Sequence, residues 1–283
     1  MLMRVIATLA LKGGTGKTTV VANLGFALRD KRYKVGLLDI DITSSTLPRA
    51  LGLKTPPRVE TDPKRSKLLP SKVMGLEVFS LSSHFGTGAV LWEDGEMGTN
   101  IDGEFVPFKG TGRKELVKQM LRDVSFSADN DYLLLDLPPS SGGEVLSLWE
   151  NLPEFYGAIL VCQPTSMSME GMERTLDMIK TKKLPVIGLV SNMAGVVCPE
   201  CHHEFSPFLN TVDLKEFCAR TKIPFLISIP LTNDQEKLKN CFRELATIVE
   251  RTTPVKLWEL SVFEKLSLKM EMLVGKKALG HRR

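Results

Sequence analysis

The sequence predicts an α/β fold: a single domain with a mostly parallel central sheet and helices on both faces. Three observations carry that reading. Short apolar, β-branched runs alternate with segments of helical period along most of the chain. Runs such as "YLLLDL" and "VIGLV" are almost wholly apolar, as strands buried on both faces must be. A glycine-rich loop, "KGGTGKTT", lies between the first such run and the first helical segment, where a phosphate-binding loop belongs.

Taken in order, the first strand is expected over 5–11 and runs into the loop at 12–19, with a helix over 17–29. A second strand over 34–40 ends in the acids of "LLDIDITSS". The stretch 54–72 is rich in proline and charge and reads as a mobile surface excursion. A strand follows over 76–81. The glycine- and acid-rich 82–105 reads as a hairpin or lid, in which His84 is a solvated loop residue without a role. The remaining strands are expected over 132–137, 158–162, 185–191 and 224–229. Helices are expected over 113–124, 143–149, 169–181, 212–220 and 234–251. One domain thus spans 1–251. The extension 252–283 has mixed periodicity: Leu257, Leu260 and Phe263 fit a helix stripe, whereas Leu266, Leu268, Met270 and Met272 alternate as a strand would. It reads as packing on the domain or a neighbouring subunit, with a membrane-surface or partner-binding tail as the alternative.

Composition excludes several classes. With 283 residues, 43% hydrophobic and 25% charged, the chain can bury a sizeable core. A net charge of +4 is too small to imply nucleic-acid binding. No apolar run reaches the roughly 18 residues of a membrane span. The segment "MLMRVIATLAL" lacks a cleavage site and reads as a strand, not a signal peptide, so a cytoplasmic location is expected. Five cysteines in this length do not make a disulfide scaffold. Cys162, Cys218 and Cys241 read as small buried apolar residues, whereas Cys198 and Cys201 form C-P-E-C and suggest metal or redox chemistry.

The nucleotide chemistry follows from the loop. Gly13, Gly14 and Gly16 let the backbone approach closely and turn its N–H groups inward, with Thr15 between them. The following helix adds the positive end of its dipole. Lys17 is placed to bridge the β- and γ-phosphates of ATP, Thr18 to hold Mg²⁺, and Thr19 to donate to the α-phosphate. Asp39 and Asp41, two apart, face one side of a strand's carboxyl end, where open α/β sheets place their ligands. Asp136 ends a third strand at the same edge, and one carboxylate there suits a water-mediated Mg²⁺ contact.

"KGGTGKTT" resembles the deviant phosphate loop of the Mrp/MinD class of P-loop NTPases, which includes ParA and the nitrogenase iron protein. The chain is most similar to the Mrp (ApbC-like) branch of iron–sulfur cluster carriers. The similarity runs through "DIDITSSTLP", "DYLLLDLPPSSGG", "CQPTSMSMEGMERTLDMI" and "SNMAGVVCPEC". The resemblance implies that Lys12 reaches across a nucleotide-sandwich homodimer to the partner's phosphates, while Lys17 serves its own subunit. It further implies that Asp41 positions the attacking water, that Asp39 lies near Mg²⁺, that Asp136 belongs to the second switch, and that Asn192 reads the adenine edge. The chain departs from the branch at Gly143, where a switch aspartate is usual, and in "ITSSTLP" after Asp41.

Two thiolates do not complete a zinc or iron–sulfur site, which generally takes four ligands. A twofold axis at the C-P-E-C loop would supply Cys198 and Cys201 from each subunit. The Mrp branch holds a cluster, usually 4Fe-4S, in this way. Zn²⁺ at the same place, or within one chain with His202 or His203, is an alternative, as is a redox or inert pair. The expected function is a slow, dimeric ATPase that assembles an iron–sulfur cluster and transfers it to apoprotein clients, with neither nucleic acid nor membrane as partner. The alternatives are a MinD/ParA-like dimerisation switch and a Zn/Ni metallocentre-maturation ATPase.

Overall fold

The computed structural model describes residues 3–10, 12–41, 46–55, 57, 60–62, 67–80, 91–93, 96–101, 104–107, 121–138, 155–198, 200–201 and 203–259. The chain opens with β1 (Arg4–Leu9), α1 (Lys17–Asp30), β2 (Val35–Asp39) and the short α2 (Leu47–Ala50). Next come β3 (Glu60–Asp62), β4 (Lys67–Leu69), β5 (Ser71–Val73) and β6 (Leu76–Ser80). An antiparallel meander of β7 (Leu91–Glu93), β8 (Glu96–Ile101) and β9 (Glu104–Pro107) precedes β10 (Tyr132–Asp136). The second half contains β11 (Phe155–Cys162), α3 (Ser166–Lys182), β12 (Val186–Asn192), the hairpin β13 (Val196–Val197) and β14 (Glu204–Phe205), then α4 (Leu214–Thr221), β15 (Phe225–Ile229) and α5 (Gln235–Arg251).

Among the described residues the main sheet has eight strands in the order β15-β12-β11-β1-β10-β2-β6-β5. Every pairing in it is parallel except that of β5 with β6. The expected strands therefore form, and they form because alternate residues of each enter different cores. Val5, Ala7 and Leu9 of β1 join Leu133 and Leu135 of β10 beneath α3 and α4, against Met172, Leu176, Ile179 and Phe217. Ile6 joins Tyr132 and Leu134 beneath α1 and α5, against Val20, Leu24, Phe242 and Leu245. Both faces being covered, these strands are apolar along most of their length, and the buried Thr8 hydroxyl of β1 donates to the Leu135 carbonyl.

Two expectations need amendment, and others lie outside the described residues. The proline-rich excursion contains structure: β3 pairs with β4, and β5 adds an antiparallel edge strand to the main sheet. Met74 and Gly75 join β5 to β6 with φ of 48° and 81°, the doubly left-handed backbone of a tight hairpin turn. Helix α3 begins at Ser166, three residues before the expected start, because Thr165 caps it by accepting from the Ser168 N–H. The expected helix over 143–149 and the start of that over 113–124 lie outside the described residues, as do His84 and Gly143. After α5 the chain returns to the sheet, where Val255 and Val186 exchange backbone hydrogen bonds of 2.7 and 2.9 Å. Leu257 is buried in the core under α3, and residues 260–283 lie outside the described residues. No helix among the described residues is long and apolar enough to cross a membrane.

Candidate functional site

The carboxyl ends of β1, β2, β10, β11 and β12 lie side by side and carry the polar residues that the two cores exclude. β1 is the central strand, with β10 and β11 parallel on either side of it. The loop that follows it, Lys12–Gly16, therefore sits where the sheet's connections diverge, the position at which open α/β sheets bind ligands.

Gly14 and Gly16 have φ of 75° and 88°, so the loop alternates into the left-handed region on either side of Thr15. Gly16 is doubly required. A Cβ there would lie 2.1 Å from Asn192 Nδ2, in addition to the strain of its φ. Gly16→Ala is therefore expected to cost about 1–3 kcal/mol of folding stability, measurable by urea denaturation, because both the backbone and Asn192 must shift.

Helix α1 differs from the other long helices in how it starts. α3, α4 and α5 are each capped by a side chain, from Thr165, Asp213 and Asp234. α1 starts at Gly16 with no side-chain cap and no acid in its first turn. Its first N–H groups and the positive end of its dipole are thereby left to an anion.

Lys17 is only 7% exposed. Burial lowers its pKa, while the nearby carboxylates of Asp136 and Asp41 oppose that shift. Asp136 is buried at the end of β10, directly beside Asp39 in the β2 register. Burial raises its pKa to about 6, against a hydrogen bond from Thr18 and the charge of Lys17. Among the described residues its Oδ1 has no hydrogen-bond partner. Asp39 is held differently: it accepts from the Asp41 N–H at 3.0 Å, the Leu47 N–H at 3.4 Å and the Ser80 hydroxyl at 3.2 Å. It braces the chain leaving β2 and thereby positions Asp41. Thr46 Oγ1 donates to Thr18 Oγ1 at 3.3 Å and ties that same segment to the phosphate loop.

These oxygens fit Mg²⁺. The Thr18 hydroxyl and the orphaned Oδ1 of Asp136 are hard donors beside a loop built for phosphate, and nothing else among the described residues satisfies that buried oxygen. Thr18 and Asp136 would hold the cation, which would supply positive charge to neutralise that of the bound phosphates.

Lys12 is half-buried, and its carbonyl accepts from the Thr15 hydroxyl at 3.5 Å. Gly13 and Thr19 are exposed, on the loop and the first turn of α1. Asn192 ends β12, and its Nδ2 donates to the Thr15 carbonyl at 2.8 Å. Gln163, which the sequence did not single out, also touches the loop. Gln163, just past β11, donates from Nε2 to the Gly14 carbonyl at 3.2 Å and to Met193 Sδ at 3.2 Å. The signals for Gln163 were its place after a strand end and its presence in the stretch "CQPTSMSMEGMERTLDMI" that carries the family resemblance.

Cys198 and Cys201 lie in the turn of the β13–β14 hairpin, closed by a 3.0 Å bond from the Cys198 N–H to the His203 carbonyl. Cys198 is half-buried and Cys201 exposed. The N–H groups of Cys201 and Glu200, and the Cys201 side chain, lower the pKa of the Cys198 thiol. Two backbone donors on one sulfur favour the thiolate, the form that binds metal. Among the described residues no three His, Cys, Asp or Glu side chains gather as a metal site. Burial pushes the thiols of Cys162 and Cys218 up to about 12, as expected of inert core residues.

Comparison with known proteins shows the family to which the chain is similar. The family profile described as ParA, NUBPL iron-transfer P-loop NTPase, matches residues 1–257. An iron–sulfur cluster carrier protein of Helicobacter pylori is 33% identical over 220 residues, 78% of this chain and 55% of that protein. The chain thus spans about half the length of that relative. A cytosolic Fe-S cluster assembly factor NUBP2 homolog of Nematostella vectensis is 32% identical over 234 residues, 80% of this chain and 79% of that protein. Among solved structures, a nucleotide-binding protein of Archaeoglobus fulgidus in complex with ADP superposes with a TM-score of 0.63 at 27% identity, covering 89% of this chain and 92% of the other.

Proposed function

This chain belongs to the ParA family of NUBPL-type iron-transfer P-loop NTPases, and from that premise we propose that it is a slow, dimeric ATPase that assembles an iron–sulfur cluster and passes it to apoproteins. One observation carries the reading: β12 serves both sites. It ends in Asn192, which grips the phosphate loop, and runs directly into the hairpin that presents Cys198 and Cys201. Nucleotide and cluster are then coupled loads on one rigid element, each biasing the other's affinity.

Within one subunit the loop N–H groups from Gly13 to Thr19 cradle the phosphates and Lys17 spans the β- and γ-phosphates. Thr18 and Asp136 hold Mg²⁺, with Asp39 behind them fixing the segment that carries Asp41. Asp41 orients the attacking water. Asn192, whose Nδ2 is committed to Thr15, offers its carbonyl oxygen to the adenine amino group. Lys12 acts on the partner's nucleotide, so transition-state charge is neutralised only after two copies meet. The same meeting places two C-P-E-C hairpins together, and four thiolates surround the cluster. Exposed apolar residues support a face-to-face approach here: Phe205, which pairs with Val196, and Leu231, whose N–H bonds to the Gly195 carbonyl, are each 48% exposed.

Protein reconstituted without oxygen is expected to hold about four irons and four sulfides per dimer, and its mass is expected to double on cluster loading. Iron and sulfide analysis with light scattering checks both. Stoichiometric zinc without sulfide, or a subunit that stays single with cluster and MgATP supplied, would overturn the reading.

A further inference from the structure

We infer that Gln163 is a positioning residue for the phosphate loop: its carboxamide sets the direction of the Gly14–Thr15 peptide group and so aims the Thr15 N–H at bound phosphate. The inference rests on the nucleotide site proposed above and deepens it.

A trans peptide is planar, with its C=O and N–H pointing opposite ways. Whatever holds the carbonyl of one residue therefore fixes the N–H of the next. In this loop two consecutive carbonyls are held from outside by side-chain amides. Gln163 Nε2 donates to Gly14 O at 3.2 Å, and Asn192 Nδ2 to Thr15 O at 2.8 Å. Both amides come from adjacent parallel strands, β11 and β12, at the same level: Cys162 is paired with Ser191, immediately before each of them. Together they turn the N–H groups of Thr15 and Gly16 away from β11 and β12, into the anion nest that the alternating φ values create.

The Gly14 peptide needs such a restraint. Gly14 has φ of 75°, and there is open space where a Cβ would be, so sterics alone do not select its orientation. At Gly16, by contrast, Asn192 fills that space. The two hydrogens of the Gln163 amide are both used, one on Gly14 O and one on Met193 Sδ. Met193, at φ of 56°, is the first residue beyond β12. The amide is thus itself anchored, and it arrives at the loop already oriented.

Gln163→Leu keeps an uncharged side chain of similar bulk and removes the donor. Its affinity for MgATP, titrated by displacement of a fluorescent ATP analogue, is expected to fall roughly tenfold. Adenosine, which carries no phosphate, is expected to compete as well as against the wild type. Gln163→His, which returns an N–H donor, is expected to recover most of the loss. Should Gln163→Leu fail to fold, Gln163→Met makes the same test with an uncharged side chain of matching length that cannot donate. Unchanged MgATP affinity, or equal losses for MgATP and adenosine, overturns the positioning role while leaving the nucleotide site intact. Wild-type protein that binds no MgATP overturns both.

Discussion

Lys17→Gln is expected to weaken MgATP binding by about a hundredfold or more. Lys17 is the buried cation of the loop, and a charge-assisted contact to phosphate in a desolvated site contributes about 2–5 kcal/mol. At about 1.4 kcal/mol per tenfold, the middle of that range gives the stated loss. The effect on folding is smaller, because two terms oppose. Burial already penalises the Lys17 ammonium, so a neutral amide relieves that cost. The same change removes a positive charge beside Asp136 and Asp41 and pushes the Asp136 carboxyl higher still. Calorimetric titration with MgATP checks the first claim, and the nucleotide-induced rise in Tm checks it independently, since a ligand stabilises only what it binds. Lys12→Gln in the same assays is expected to keep the affinity and lose turnover. A Lys17→Gln protein within threefold of wild-type affinity would remove Lys17 from the phosphate site.

The core of this fold was legible because its chemistry is local. Runs such as 132–137 and 185–191 are short, apolar at nearly successive positions and rich in aliphatic residues, which suits a strand between two helical layers. The strand-end acids were legible for the same reason, since Asp39 and Asp136 break apolar runs at their carboxyl ends. What escaped was non-local or turned on one backbone conformation. β5 lies in a stretch whose prolines and charges signal a loop, and its only cue is the Met74–Gly75 turn. Methionine is seldom found at positive φ, so that cue carried little weight. Gln163 meets Gly14 across 149 positions of sequence, through the pairing of β11 with β1 and β12. Ser80 reaches Asp39 only because β6 lies beside β2. No spacing rule connects such residues, because the sheet order that joins them is a property of the whole fold.

The double change Cys198→Ser with Cys201→Ser is expected to leave less than about a tenth of the wild-type iron and sulfide on anaerobically reconstituted protein, with MgATP affinity within about twofold. Serine keeps the size and the hairpin but not the ligand, because only the ionised sulfur binds metal and a hydroxyl does not ionise near neutral pH. The hairpin itself should survive: its closing bond from the Cys198 N–H to His203 and the pairing of Val196 with Phe205 use backbone groups. The single Cys198→Ser change is expected to be nearly as severe as the double. Cys198 is the thiol whose ionisation the N–H groups of Glu200 and Cys201 favour, and a twofold site loses two of its four ligands with each single substitution. Cys241→Ser is the control. Its thiol lies on α5, where burial raises its pKa, and the cluster content is expected to be unchanged. Iron, sulfide and visible absorbance measured on the four proteins side by side decide the matter. A double variant that retains its cluster would place the ligands elsewhere, and the coupling of hairpin to phosphate loop through β12 would have no cargo to act on.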